Sequence, residues 1–330
     1  MKKLSAALAA CLAAISGCGS STGPSGPGAG AGVAWFDGIA CTVDIYYPQD
    51  GTLSPGAFVT GVAPNDIVLL EDGTIAVVNS ISYSVSFFDP AEPGQLVAET
   101  ILPAGVNPYC ACVDGSRLYV SCLLGESSGG PGVCVIDLST HEVIDEFYGV
   151  PNASGIAAAS GRLFVSTQNW PDASVQGTFV LDPETGEVLD TLATPPNTTT
   201  LRYFPATGMI HASSTTYTDD GAITIIDPSA PAIAGTIATG GTPGLPCRIG
   251  DRFVAGDSWS SSRVYLYDEA GTMETFDAGF GITGIAATGD TLFMTAFDSD
   301  IMLVMDGSTM APVDTLQAGD GPQGILIIPE

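Results

Sequence analysis

Lysine is nearly missing from this 330-residue chain: Lys2 and Lys3 are the only two, and six arginines complete its positive charge. Against them stand 36 aspartates and glutamates, for a net charge of −28 at pH 7. So acidic a surface repels nucleic acid and anionic headgroups, and no basic patch offsets it, which removes nucleic acid as a partner. We read the acid excess as an adaptation to salty surroundings or a product of GC-rich coding before reading it as cation binding. Histidine is as scarce, with only His141 and His211. Chemistry that needs two or three clustered imidazoles is disfavoured from the start. No phosphate-cradling glycine loop and no His-Glu-x-x-His string is present. Sustained 3.6-residue periodicity is missing too, and 41 glycines with 23 prolines leave little room for helices.

What the chain does have is repetition. A short apolar run recurs at Ile75, Leu118, Leu163, Ile210, Phe253 and Leu292, at steps of 43, 45, 47, 43 and 39 residues. Each is followed by a second run that ends in an aspartate: Asp89, Asp137, Asp182, Asp227, Asp268 and Asp306. A period of about 40–45 residues made only of short strands is the signature of propeller blades. In the third copy the four strands are 155–158, 162–165, 178–181 and 187–190, with Asp182-Pro183-Glu184-Thr185-Gly186 as the hairpin between the last two. Each repeated Asp is expected to cap its own turn through an Asx hydrogen bond. The ends supply a seventh copy: strands near 33–36, 42–47 and 57–60 at the start, and 321–327 at the end. The expected fold is all-β, a seven-bladed β-propeller whose N- and C-terminal strands share the closing blade and leave no long open edge. It occupies residues 33–330.

The first 32 residues read differently. Lys2 and Lys3 precede an apolar run, Leu4 to Ile15, too short to span a bilayer. The run ends in Ile15-Ser16-Gly17-Cys18, which resembles a bacterial lipoprotein signal peptide (1–17), with Cys18 as the lipid attachment site. Residues 18–32 then give the lipidated Cys and a Gly/Ser/Pro tether with no means of forming a core. The resemblance implies a bacterial cell-envelope protein held to the membrane through its lipid anchor only. Gly19, a non-acidic residue after the Cys, favours the outer membrane over the inner.

Six cysteines remain after Cys11 and Cys18: Cys41, Cys110, Cys112, Cys122, Cys134 and Cys247. An even number in an exported chain favours disulfides, and Cys122 with Cys134 is the expected bridge across 123–132. A metal set of Cys112, Cys122, Cys134 and His141 is the weaker reading. His141 is expected to face solvent and His211 to be a tolerated strand residue. In propellers the innermost strands line a central channel, which makes Asp66, Tyr109, Ser154, Arg202, Thr283 and Gln323 the candidate ligand residues. Arg202 stands out as one of only six arginines, able to clamp a carboxylate or phosphate. Asp219-Asp220-Gly221 and Asp298-Ser299-Asp300 are candidate Ca²⁺ loops, though short of a full ligand set. Trp170 and Trp259, in long loops, suit sugar stacking or partner contact.

The stretches Gly155-Ile156-Ala157, Arg162-Leu163-Phe164-Val165-Ser166 and Val180-Leu181-Asp182-Pro183-Glu184-Thr185-Gly186 are similar to the YVTN-repeat (YncE-like) β-propellers of bacteria. The resemblance covers nearly all of 33–330 and implies the fold. It leaves the function open, because this superfold serves binders, scaffolds and enzymes. Copies four and five depart from it, at Arg202-Tyr203-Phe204-Pro205 and Leu245-Pro246-Cys247-Arg248, and those departures mark where a special role belongs. Together these readings favour a monomeric binding or scaffolding module for a protein or glycan partner, without a cofactor. The alternative is a hydrolase or lyase of the lactonase-like kind, with Ca²⁺ as its possible cofactor.

Overall fold

The computed structural model describes residues 31–168, 176–215, 220–258 and 261–329; Cys18, Trp170, Asp219 and Trp259 lie outside them. Seven four-stranded antiparallel sheets form a ring. Blade 1 holds β4 (Pro64–Leu69), β5 (Ile75–Asn79), β6 (Ser84–Phe88) and β7 (Leu96–Ile101). Blade 2 holds β8 (Pro108–Asp114), β9 (Arg117–Cys122), β10 (Val133–Asp137) and β11 (Glu142–Phe147). Blade 3 holds β12 (Ala153–Ala159), β13 (Arg162–Thr167), β14 (Thr178–Leu181) and β15 (Val188–Leu192). Blade 4 holds β16 (Thr198–Phe204), β17 (Met209–Ser214), β18 (Ala222–Asp227) and β19 (Ala232–Ala238). Blade 5 holds β20 (Cys247–Ile249), β21 (Arg252–Gly256), β22 (Arg263–Tyr267) and β23 (Met273–Asp277). Blade 6 holds β24 (Gly284–Thr288), β25 (Thr291–Ala296), β26 (Ile301–Asp306) and β27 (Ala311–Gln317).

The closing blade is built from both ends of the chain. β28 (Pro322–Ile328) pairs with β1 (Gly32–Asp37), which leads into β2 (Thr42–Tyr47) and β3 (Thr52–Val59). Val33 faces Ile327 and Ala34 faces Leu326 across that seam. The expected sharing of the last blade is therefore present, with its outermost strand starting five residues before the expected one.

The second and third strands of each blade are apolar on both faces because both faces meet a neighbouring blade. β5 and β6 are buried along their whole length, whereas β15 is exposed over its first four residues. Ala76, Val78, Val85 and Phe87 of blade 1 pack against Leu118, Val120, Cys122 and Cys134 of blade 2. Each such fully buried Val, Leu or Phe stabilises the ring by about 1.5–3 kcal/mol. Hydroxyls at the ends of second strands add cross-blade ties: Ser80 Oγ donates to Pro108 O at 2.6 Å and Ser213 Oγ to Gly244 O at 2.7 Å. Thr295 Oγ1 does the same to Gln323 O at 2.5 Å.

All six repeated aspartates cap their turns. Asp182 Oδ1 accepts from the Glu184 and Thr185 amides, each at 2.9 Å, and Asp306 Oδ1 from Ser308 and Thr309 at 2.9 and 3.0 Å. Asp89, Asp137, Asp227 and Asp268 each take at least one such bond. The Ser308 hydroxyl, donating to Asp306 Oδ1 at 2.6 Å, and then these amides hold the Asp306 carboxyl below its usual range, and the amides do the same for Asp182.

The cysteines and histidines differ from expectation. All six described cysteines are thiols. Cys122 and Cys134 come close, with Sγ atoms 3.7 Å apart, but they are not bonded. Cys41 lies in the closing blade and Cys247 in blade 5, so neither has a thiol in reach. His141 packs edge-on against Phe87, with ring centres 4.5 Å apart, and so is half-buried rather than fully turned to solvent. Its left-handed φ of +58° marks the hairpin position that Gly186 fills in blade 3. His211 is fully buried among Phe204, Phe253 and Tyr267. Its Nδ1 meets Tyr267 Oη at 2.9 Å and its Nε2 meets Glu269 Oε1 at 3.2 Å. Burial pushes it down to about 4 despite the glutamate, so at neutral pH it is an uncharged core residue.

Candidate functional site

Seven innermost strands surround a central cavity of about 1430 Å³. It is large beside the ~300–1,000 Å³ of ordinary ligand pockets. Its mouth is bordered by Ile39, Ile81 and Phe297, from turns that join second to third strands. Asp66, Tyr109, Arg202, Thr283 and Gln323 all line it. Ser154 does not: it is fully buried, donating through Oγ to Thr199 O at 2.8 Å and accepting from Gln168 Nε2 at 2.9 Å. It ties blade 3 to blade 4 because its side chain points between sheets, away from the axis. Thr283 is partly committed as well, with Oγ1 donating to Pro322 O at 3.0 Å.

Among the described residues, Asp66 is the one acidic residue on the cavity wall. Its Oδ2 accepts the Ala111 amide of blade 2 at 2.8 Å and its Oδ1 accepts the Ile67 amide at 2.9 Å. Burial raises its carboxyl to about 6, while those two amides and the charge of Arg202 pull it back. Arg202 lies across two blades: Nη1 donates to Pro246 O at 2.9 Å, and burial lowers the guanidinium from its usual value. Neither group makes an ion pair among the described residues, so they interact across the channel without touching.

Arg248 also lines the cavity, two residues after the carbonyl that holds Arg202. Its tetrapeptide departs from the repeat, but Arg248 itself is not among the candidate residues that strand position gives. Its signal was there, as the second cation placed in an innermost strand of a chain with six arginines. The thiols of Cys110, Cys112 and Cys247 border the same space. Burial raises Cys112 and pushes Cys247 up to about 12, which keeps both protonated and unreactive. Cys112, Cys122, Cys134 and His141 do not converge, and no group of three or more His, Cys, Asp or Glu able to hold a metal exists among the described residues. Asp300 spends Oδ1 on the Gly321 amide at 3.1 Å. The string Gly125-Glu126-Ser127-Ser128-Gly129 has the form of a nucleophile elbow. It lies on a single helical turn, where Ser127 Oγ donates to Leu124 O at 3.0 Å and meets no imidazole.

No family model matches the chain, and no curated protein matches it. Solved structures do. A functionally unknown protein of Desulfotomaculum acetoxidans superposes with a TM-score of 0.73 at 14% identity, covering 92% of this chain and 100% of that one. A candidate 6-phosphogluconolactonase of Bacteroides uniformis gives 0.71 at 14%, covering 90% and 99%. A streptogramin B lyase gives 0.64 at 11%, covering 79% and 86%. At such identities the likeness is one of fold, and the fold it shows is the bacterial β-propeller.

Proposed function

We propose that this protein is a lipid-anchored binding module of the bacterial envelope, held at the outer membrane rather than the inner. Cys18 carries the anchor, the central channel is its ligand site, and its loop faces are open to a protein or glycan partner. The observation that carries the binding reading is the state of Asp66. Acid–base catalysis needs a carboxyl or imidazole free to exchange a proton with the substrate. The one carboxyl that lines the cavity among the described residues already holds two backbone amides, and no second acid or histidine of those residues joins it. Such a wall holds a molecule better than it transforms one. No helix among the described residues is long and apolar enough to cross a membrane.

A second reading, a hydrolase or lyase working on small molecules, draws on two of the structural relatives, one a candidate 6-phosphogluconolactonase and one a streptogramin B lyase. The specific observation in its favour is the Asp66 carboxyl near 6, close to the pH at which a general base works.

A thermal-shift screen of the full chain against lactones, cell-wall sugars, organic acids, Ca²⁺ and EDTA separates the two. A ligand at about 100 times its Kd adds ~2.7 kcal/mol, several degrees of Tm for a domain this size. Saturable binding without turnover supports the module. Lactone opening that disappears in Asp66→Asn, or needs Ca²⁺, would replace it with the enzyme. The anchor is tested apart, since Cys18→Ser should move the protein from the membrane to the soluble fraction.

A further inference from the structure

We infer that the channel is selective for a monoanion, a small carboxylate with an apolar body, gripped by Arg202 and Arg248 from adjacent blades. This rests on the binding reading above and narrows it to a ligand class.

The charge distribution carries the inference. Among the described residues the cavity wall has two arginines, of six in the chain, and only one acidic residue. The inside of the ring is thus positive in a protein whose outside is strongly negative. Register places the three charges within two residues of one another in depth. Counted back from the last paired residue of each innermost strand, Asp66 is three before Leu69↔Ile75, Arg202 two before Phe204↔Met209, and Arg248 one before Ile249↔Arg252. At ~3.3 Å of rise per residue they differ in depth by about 7 Å at most.

Donor supply points the same way. A guanidinium offers five N–H groups. Among the described residues, Arg202 uses one of them on Pro246 O and Arg248 makes no hydrogen bond or ion pair. Asp66 does not absorb them: its hydrogen bonds come from the Ala111 and Ile67 amides, and it makes no ion pair with either arginine among the described residues. The surplus is a set of planar, charge-assisted donors that match a carboxylate bidentately. Charge balance selects a single negative charge, since two arginines and Asp66 leave one positive charge to neutralise. The rest of the wall is apolar, with Ile67, Ile156, Leu201 and Ile325 among its residues, and suits a hydrocarbon or aromatic body.

The test uses phenylacetate, indole-3-acetate and octanoate, each beside its primary amide and primary amine, on the full chain by calorimetry and thermal shift. Carboxylates should bind at least tenfold more tightly than the matching amides, with no binding by the amines. Arg248→Gln, an exposed position that leaves the fold intact, should weaken carboxylate binding about tenfold. Arg202→Met should weaken it further, and Arg202→Lys should not restore it, because an ammonium lacks the planar fork. Arg252→Gln, whose guanidinium turns from the channel toward Leu266 O and Glu274, should change nothing. Amides that equal the carboxylates, or binding untouched by Arg248→Gln, would overturn the anion assignment and leave a channel-binding module. Absence of carboxylate binding up to 10 mM would overturn it too. If, in addition, no compound of the broader screen binds, the channel reading falls with it.

Discussion

Replacing Asp37 with Asn should stabilise this protein at neutral pH and do little in acid. Asp37 and Asp44, on adjacent strands of the closing blade, are 0% and 1% exposed. Asp44 is the better supplied, with Oδ1 accepting the Gly56 amide at 2.6 Å and Oδ2 the Gly319 amide at 3.1 Å. Asp37 has Thr42 Oγ1 at 3.1 Å on Oδ2 and no donor for Oδ1. A proton on Oδ1 lets it donate to Asp44. Burial first, then the charge of Asp44, raises Asp37 to about 8. The folded state therefore binds a proton that the unfolded chain releases near 3.8. The contribution of this group to stability is whole below about pH 4 and is lost as pH rises through 8. At ~1.36 kcal/mol per pH unit the loss reaches about 4 kcal/mol by pH 7. Asn is neutral throughout and keeps an N–H for Asp44. Thermal melts of wild type and Asp37→Asn from pH 4 to 8.5 should coincide at the acid end and diverge upward. The variant should melt about 8 °C higher at pH 7, at roughly 2 °C per kcal/mol. Parallel curves over that range would mean that Asp37 is ionised in the fold and the reasoning is wrong.

His211 gives the opposite limb. Its folded value near 4 lies below the ordinary 6.5, so its contribution is present above about pH 6.5 and lost as pH falls toward 4, about 3 kcal/mol in all. His211→Phe, the residue type that fills the equivalent place at Phe164, should flatten that acid limb in urea titrations; an unchanged limb would refute it. Gly155→Ala should cost about 1–3 kcal/mol, because its Cβ would stand 2.6 Å from Leu201 N and 2.7 Å from Thr200 Cα in the next blade. Chemical denaturation reads that directly, and a neutral result would mean that the two inner strands can part freely. Association of phenylacetate, followed by stopped flow, should quicken as salt rises from 10 to 300 mM, because screening weakens repulsion by the acidic exterior. An on-rate that falls with salt would mean that the arginine field reaches beyond the mouth.

The fold was legible because blades are written in local grammar. A run such as Leu163-Phe164-Val165 followed by Val180-Leu181-Asp182 fixes two strands, and the Asp with Pro183 and Gly186 fixes the turn after them. Closure could be read because the unmatched strands at 33–47 and 321–327 make one sheet only together. The channel residues were harder. Five of the six candidates line the cavity, but Ser154 does not, and strand position alone cannot say whether a side chain points to the axis or between sheets. His211 was misjudged for a related reason. Its partners Tyr267 and Glu269 lie 56 and 58 residues away in the next blade, beyond any local pattern. Asp37 and Asp44 carried no signal at all in a chain with 36 acids, since only burial separates them from the solvated rest. The cysteine count suggested bridges, but Cys41 and Cys247 stand in separate blades, and parity says nothing of distance.

The two places where the repeat breaks are also where the arginines enter the channel, and this coincidence has a physical side. In blades 3 and 6 the innermost strand carries alanines, Ala157-Ala158 and Ala286-Ala287, that let adjacent sheets approach the axis. Blade 4 has Arg202-Tyr203 at that place, and blade 5 shortens its strand to the three residues Cys247–Ile249. Neither change improves the ring. A shortened strand gives up ladder hydrogen bonds, and a guanidinium drawn from water loses hydration that one carbonyl does not replace. Sequences that break their own local rule without a structural gain are where function is expected to be the compensation. An incoming carboxylate would supply the missing half of that balance, because it satisfies the same donors whose burial otherwise costs stability. The stability given up in blades 4 and 5 and the grip on the ligand are then one feature, and binding should tighten the contact between those two blades more than any other pair in the ring.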